Sequence, residues 1–308
     1  MKRAFASLCA VAVVTGAVAA GCGHGSDAGG RTAAAARQAR PEPLTWQQEL
    51  RVSDAEQRLV RQCMNRHGFR YWEDRTLTLR ESMPVRYVQD DVAWAREYGY
   101  GSRLLAEQDR ARRANPNLAY RKSLSDGRRA AYDTALDGGT SARVLQVRMP
   151  GGGTVRKHVG GCAAEAEQRL YGDAATWFRA DATASNLQPL YVSRMLKDRR
   201  LTRAVTAWAG CMRRAGRPFG TPDEARAAAT PKDGLSRAEE AEAFAAERRI
   251  AVADAGCARD AGLKDLGRKL ESEYIDKLGD TYGDELNTYR RLRNQALDRA
   301  VRIVPQRA

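Results

Sequence analysis

Six cysteines and three histidines are the residues of this sequence best suited to chemistry, and the cysteines carry a pattern. Cys63-Met64-Asn65-Arg66-His67-Gly68 is echoed in register by Cys211-Met212-Arg213-Arg214-Ala215-Gly216. Further along, Gly161-Cys162-Ala163 is echoed by Gly256-Cys257-Ala258. Two chemistries suit such residues. Paired thiols form disulfides in an oxidising compartment, whereas Cys, Met and His together suit copper or haem. Cys63, Met64 and His67 would be that set, but the second copy has Ala215 where the first has His67. The expectation is therefore two disulfides, no metal and no cofactor.

The compartment decides between these chemistries, and the first residues speak to it. Lys2 and Arg3 precede a short apolar run, Ala4 to Ala20, too short for a spanning helix. It closes as Val18-Ala19-Ala20-Gly21-Cys22, which looks like a bacterial lipobox. Residues 1–21 are thus expected to be a lipoprotein signal peptide, with Cys22 lipidated as the new N-terminus. Ordinary cleavage after Ala20 would instead release a secreted protein. Cys9 leaves with the leader either way. Export leaves Cys63, Cys162, Cys211 and Cys257, and four cysteines allow three pairings. The repeat favours Cys63–Cys162 with Cys211–Cys257, since each unit then closes on itself.

Other chemistry is not written in short motifs. There is no His-Glu-x-x-His, Gly-x-Ser-x-Gly, Ser-x-x-Lys, Walker loop or Gly-x-Gly-x-x-Gly. Gly151-Gly152-Gly153 lacks the Lys-Ser/Thr and helix of a phosphate loop and reads as a turn. Adjacent carboxylates such as Asp90-Asp91 and Glu239-Glu240 point apart on a helix and suit surface charge better than acid–base pairing.

The elements that must position the cysteines read mainly as helices. Hydrophobic residues are 43% but aromatics only 7%, so the core is built largely from Ala, Leu and Val. Residues 22–43 form a Gly-, Ser-, Ala- and Arg-rich tether of roughly 25 Å root-mean-square span. Thr45 with Gln48 is a capping box that opens a helix running to Gly68. Arg70 to Gln89 reads as loop with two short alternating runs, Leu77–Leu79 and Val85–Tyr87. Helices are expected over 91–98, 102–114 and 126–136, the second ended by Asn115-Pro116. Arg143–Met149 and Thr154–Val159 alternate about the glycines as a β-hairpin. Cys162 sits on a helix that ends at Leu170-Tyr171-Gly172, Ala174–Ala184 forms another, and a longer one opens near Pro189 and ends at Gly216. Thr221/Glu224 and Ser236/Glu239 are further capping boxes. A stripe from Leu263 to Ala296 then predicts a long C-terminal helix of roughly 50–60 Å, kinked near Gly283. The fold class is mainly α: a disulfide-stapled helical domain of two related units, 44–188 with a hairpin insertion and 189–308 with the long C-terminal helix.

The phrases Cys63-Met64-x-x-x-Gly68-Phe69, Tyr132-x-x-Ala135-Leu136-x-Gly138, Gly161-Cys162-x-x-Glu165-Ala166, Leu170-Tyr171-Gly172 and Ile250-Ala251-Val252-Ala253-Asp254-x-x-Cys257 resemble a group of exported actinobacterial lipoproteins. So does the C-terminal helix that follows. The resemblance spans roughly residues 45 to 300 as short phrases. It implies an exported, disulfide-bonded helical domain, and it carries neither an activity nor a catalytic residue.

Net charge is +14, which favours anionic partners or a simply solvated basic surface. The functional expectation is a non-enzymatic lipoprotein on the outer face of the cytoplasmic membrane, an accessory or binding component. Its partners would be the membrane through Cys22, and an envelope protein or anionic wall polymer; nucleic acid is not expected. A binding module for anionic wall polymer or lipid headgroups is the alternative, and an unfamiliar cell-wall enzyme a third class. Tyr282, Leu286, Tyr289 and Leu292, flanked by Arg290, Arg291 and Arg293, either fold back as core or form a partner surface. Replacing Cys22 by Ala is expected to shift the protein out of the membrane fraction. A Cys22→Ala protein that fractionates and is processed like wild type would sink the lipobox reading.

Overall fold

The computed structural model describes residues 42–73, 77–83, 88–231 and 234–306. The expected signal peptide, Cys22, most of the tether and the Val85–Tyr87 run lie outside the described residues. Within them the chain is helical apart from one hairpin. The helices are α1 (Trp46–Arg66), α2 (Val92–Tyr98), α3 (Ser102–Arg113), α4 (Pro116–Ser123) and α5 (Asp126–Asp137), followed by β1 (Arg143–Arg148) and β2 (Thr154–Val159). Then come α6 (Gly161–Tyr171), α7 (Ala174–Ala184), α8 (Gln188–Met195), α9 (Arg199–Arg214), α10 (Pro222–Ala229), α11 (Arg237–Asp260), α12 (Leu263–Asp276) and α13 (Gly279–Val301). Among the described residues no helix is long and apolar enough to cross a membrane.

The Cys-Met phrase has one structural meaning in both copies. Gly68 and Gly216 stand just past α1 and α9 with φ of 75° and 72°, the left-handed region that glycine enters without a Cβ clash. Beyond each glycine the next amide turns back five residues, Phe69 N–H to the Met64 carbonyl and Arg217 N–H to the Met212 carbonyl. That six-to-one bond is the Schellman ending, and it consumes carbonyls that the helix end would otherwise leave unpaired. Met64 and Met212 are fully buried beneath these turns.

The Gly-Cys phrase does not repeat in structure. Gly161-Cys162 opens α6, and a Cβ on Gly161 would lie 2.6 Å from the Ala135 carbonyl. Gly256-Cys257 instead sits near the end of α11, with open space around Gly256. The expected pairing is nevertheless the one formed. Cys63–Cys162 joins α1 to α6 with Cα atoms 5.5 Å apart, and Cys211–Cys257 joins α9 to α11 at 5.6 Å.

Each staple lies in its own apolar cluster. The first gathers Leu59, Cys63, Met64, Tyr132, Cys162, Leu170 and Trp177. The second gathers Tyr191, Leu201, Trp208, Met212, Cys257, Leu263 and Leu270. The division at 188/189 is crossed in both directions, however. α2 packs on α11, and α13 packs on α1, α6 and α7. Leu286 closes the second cluster, while Leu292, Ala296 and Ala300 belong to the first.

That path of α13 accords with the first of the two alternatives for the strip, folding back as core. Leu286 and Leu292 are buried, Tyr289 stacks on Trp177 at 5.7 Å, and Tyr282 packs against the second cluster. The four side chains are core and rim of a single chain, because the helix must cap two clusters at once.

Other local expectations shift for identifiable reasons. The C-terminal stripe is two helices, broken at Lys277-Leu278 rather than at Gly283. The helix expected from Pro189 to Gly216 is likewise two, α8 and α9, because the Asp198 side chain accepts from Arg200 N–H at 2.9 Å and starts a new helix. Asn115-Pro116 ends α3 but also begins α4, with the Asn115 side chain accepting from Asn117 N–H. Leu77–Leu79 is a turn, and Leu77 packs on Trp94. The Thr45/Gln48 and Ser236/Glu239 boxes form in full. At Thr221 the Glu224 carboxylate accepts from Gly220 N–H instead.

Replacing Cys211 and Cys257 together by serine is expected to cost about 4 kcal/mol, the loop-closure value for such a span. A urea midpoint equal to that of the oxidised parent would show that this staple adds nothing.

Candidate functional site

Three places in the described structure concentrate polar or ionisable side chains, and each is positioned by the elements above. The first is buried beside the second staple. Trp208 and Asp254 each stand three residues before a cysteine of that disulfide, so they share its helix faces one turn away. Trp208 Nε1–H donates to Asp254 at 2.8 Å, and Tyr100 O–H donates to the other carboxylate oxygen at 2.7 Å. Asp254 is 1% exposed, and burial pushes its carboxyl up despite these donors. Two turns earlier on α11, Glu247, also 1% exposed, accepts from the Tyr100 and Ser102 amides at 2.7 and 3.2 Å and from the Ser102 hydroxyl. Both carboxylates are thereby used to seat the α2–α3 turn against α11.

The second place lies behind the first staple. Glu56 on α1, Glu167 on α6 and Asp181 on α7 converge with Lys157 of β2, which pairs with Glu167 and lies 5.8 Å from the Phe178 ring. Burial first, then the Glu167 charge, pushes Glu56 up from its ordinary 4.5 to about 7, with Lys157 pulling the other way. Burial raises Asp181 too. One lysine thus faces three carboxylates, and protonation of one of them relieves the excess charge.

The third place is the outer face of α8 and α9. Between Arg194 and Arg217 the chain carries eight Arg and Lys residues against one acid, Asp198. At 100° per residue, Arg199, Arg203, Arg213 and Arg214 share one side of α9, while Leu201, Val205, Trp208 and Met212 take the other. A Cβ added at Gly210 would lie 3.7 and 3.9 Å from the Arg214 and Arg213 guanidiniums, so both cations gather there. Arg200 is spent differently, pairing with Asp198 and, at 2.8 Å, with Glu273 of α12. Among the described residues no carboxylate pairs with Lys197, Arg199, Arg203, Arg213 or Arg214.

A concavity between the two clusters is small. Leu44, Leu187, Leu286 and Tyr289 line a pocket of about 100 Å³ where the two clusters meet, with Glu49 and Arg293 paired at its edge. Small-molecule sites are usually several times larger.

The cysteines are placed as the sequence suggested. The His67 ring also comes near the first staple, its ligand nitrogen and the two sulfurs lying within 4.8 Å of one another. Those sulfurs are bonded to each other, and thiolate is the form that binds a metal. Sequence inspection missed Asp254 and Glu247 as buried groups and Glu56 as a member of the acid cluster. Asp254 had a usable signal, an acid at the same offset from its cysteine as Trp208. The cation run was also legible as a count, but not its confinement to one face. The chain matches no family model, no curated protein and no solved structure. The likeness to exported actinobacterial lipoproteins rests on the quoted phrases alone.

Glu56 gives a pH dependence with a definite sign. Its folded-state pKa lies above the unfolded one, so its contribution is greatest below about pH 4.5 and is lost as pH rises through about 7. Glu56→Gln is expected to raise stability at pH 8 relative to the parent by roughly 1–3 kcal/mol, with little change near pH 4. Parallel melting curves for the two proteins from pH 4 to 8 would contradict this.

Proposed function

We propose that this chain is a non-enzymatic component of the cell envelope, lipid-anchored through Cys22, whose work is to bind anionic envelope material through the α8–α9 face. The observation that carries the reading is the set of exposed cations on α9 with no carboxylate to answer them. Surface cations are ordinarily interleaved with acids; α3, for example, carries Glu107 and Asp109 among its arginines. A run of one sign on a stapled helix concentrates positive potential and draws in polyanions.

Two further features support binding over catalysis. The buried carboxylates of Asp254 and Glu247 are taken up by donors that hold helices and turns in place. The pocket between the clusters is too small to enclose a sizeable substrate. Phospholipid headgroups and phosphate-bearing wall polymers share the required chemistry. An accessory role in a protein assembly through an apolar surface is less favoured, since Leu286 and Leu292 of the strip are buried within the chain and Tyr282 and Tyr289 are partly covered.

Binding of the protein made without its signal peptide and lipid, to vesicles containing phosphatidylglycerol and to soluble polyglycerol phosphate, is expected to weaken by about tenfold or more as salt rises from low to several hundred millimolar. Arg199→Glu with Arg203→Glu should abolish it, while the same reversal at Arg110 and Arg113 of α3 should not. Binding that ignores salt, or that both double variants reduce equally, would defeat this function.

A further inference from the structure

The basic face ends in an elbow whose composition points to a more specific partner. α8 stops at Met195 and α9 begins at Arg199, so Leu196, Lys197 and Asp198 make the turn. Leu196 is 42% exposed at that corner, beside the exposed Arg194, Lys197 and Arg199. The turn is rigid. The Leu196, Lys197 and Asp198 amides bond back to the Val192, Arg194 and Met195 carbonyls at 2.9, 3.1 and 3.0 Å. Asp198 is further held by Arg200, which also bonds Glu273, and by the Tyr274 hydroxyl at 3.4 Å. The single acid of the region is therefore turned inward to brace the corner, and the cations face out around an apolar tip.

From this we infer that the α8–α9 elbow docks on an anionic phospholipid bilayer, its cations at the headgroups and the Leu196 side chain entering the interface. This deepens the proposed function and rests on its assignment of the face as anion-binding. Cations near an anionic leaflet are attracted over a Debye length, and an apolar residue beside them adds burial below the headgroups. A soluble polyanion would use the same cations but gains nothing from an exposed leucine. A protein partner would need a far larger complementary surface than one leucine supplies. The bilayer alone uses both features.

Lys197 provides a local readout in the full, processed protein. The protein is placed on vesicles of phosphatidylcholine with or without phosphatidylglycerol, and acetylation of Lys197 and of exposed Lys122 on α4 is followed by mass spectrometry. Phosphatidylglycerol is expected to slow Lys197 by about tenfold while leaving Lys122 unchanged. Leu196→Ser, at an exposed position, should restore most of the Lys197 rate. Equal slowing of both lysines, or protection that survives Leu196→Ser, would overturn the inference. Protection of Lys197 by soluble polyglycerol phosphate but not by vesicles would also overturn it, while leaving the anion-binding function standing. Protection by neither would defeat both.

Discussion

Asp254 is the group on which the arrangement of the second cluster turns. A carboxylate this deeply buried is costly unless donors replace its water. Here one oxygen takes the Trp208 indole N–H and the other the Tyr100 hydroxyl. Those two bonds tie α9, α11 and the turn after α2 together at one point. One helical turn away the Cys211–Cys257 bridge repeats the α9–α11 connection covalently. The polar bond fixes orientation and the bridge limits separation, so α9 cannot roll about its axis without breaking one or the other. The side of α9 that faces outward follows from the side that is bonded inward.

This fixity matters because some of the helix contacts are made through small residues. α2 meets α11 through Ala95, Ala251 and Ala255, all essentially inaccessible to solvent. α13 reaches the first cluster through Leu292, Ala296 and Ala300. Alanine allows close helix approach, but each side chain buries little area, so apolar burial alone selects a register weakly. At those contacts two disulfides, the Tyr171–Trp177–Tyr289 aromatic stack and the buried carboxylates add specificity that alanine cannot. The Glu56–Glu167–Asp181–Lys157 group belongs to the same economy of small cores, though its balance of three acids to one base couples it to pH.

The candidate binding face inherits its form from that framework. Arg200 and Asp198 are consumed in bracing the elbow to α12, which leaves the neighbouring cations without acids on the outside. Charge segregation of this kind arises because the acids nearest in space have been recruited to structural bonds. It also explains why the overall basic balance, which sequence composition displays at once, has a location.

Much of this was open to inspection of the sequence because it depends on residues a few positions apart. Thr45 with Gln48 and Ser236 with Glu239 close capping boxes on themselves, and Gly68 and Gly216 end helices through bonds that span five residues. The hairpin was legible for the same reason, whereas the cysteine pairing, which spans 99 and 46 positions, was legible only from the order of the repeated phrases. Where local signals competed, inspection failed. Asp198 outweighs a continuous apolar stripe and splits one expected helix into α8 and α9, and Asn115-Pro116 both stops and starts a helix. Tertiary structure alone decided the course of α13 across both clusters, the burial of Leu286 and Leu292, the meeting of Glu56 with Asp181, and the inward turn of Asp254. Those outcomes join residues that are tens to hundreds of positions apart, and only the packed chain determines which apolar face is covered and which carboxylate loses its water.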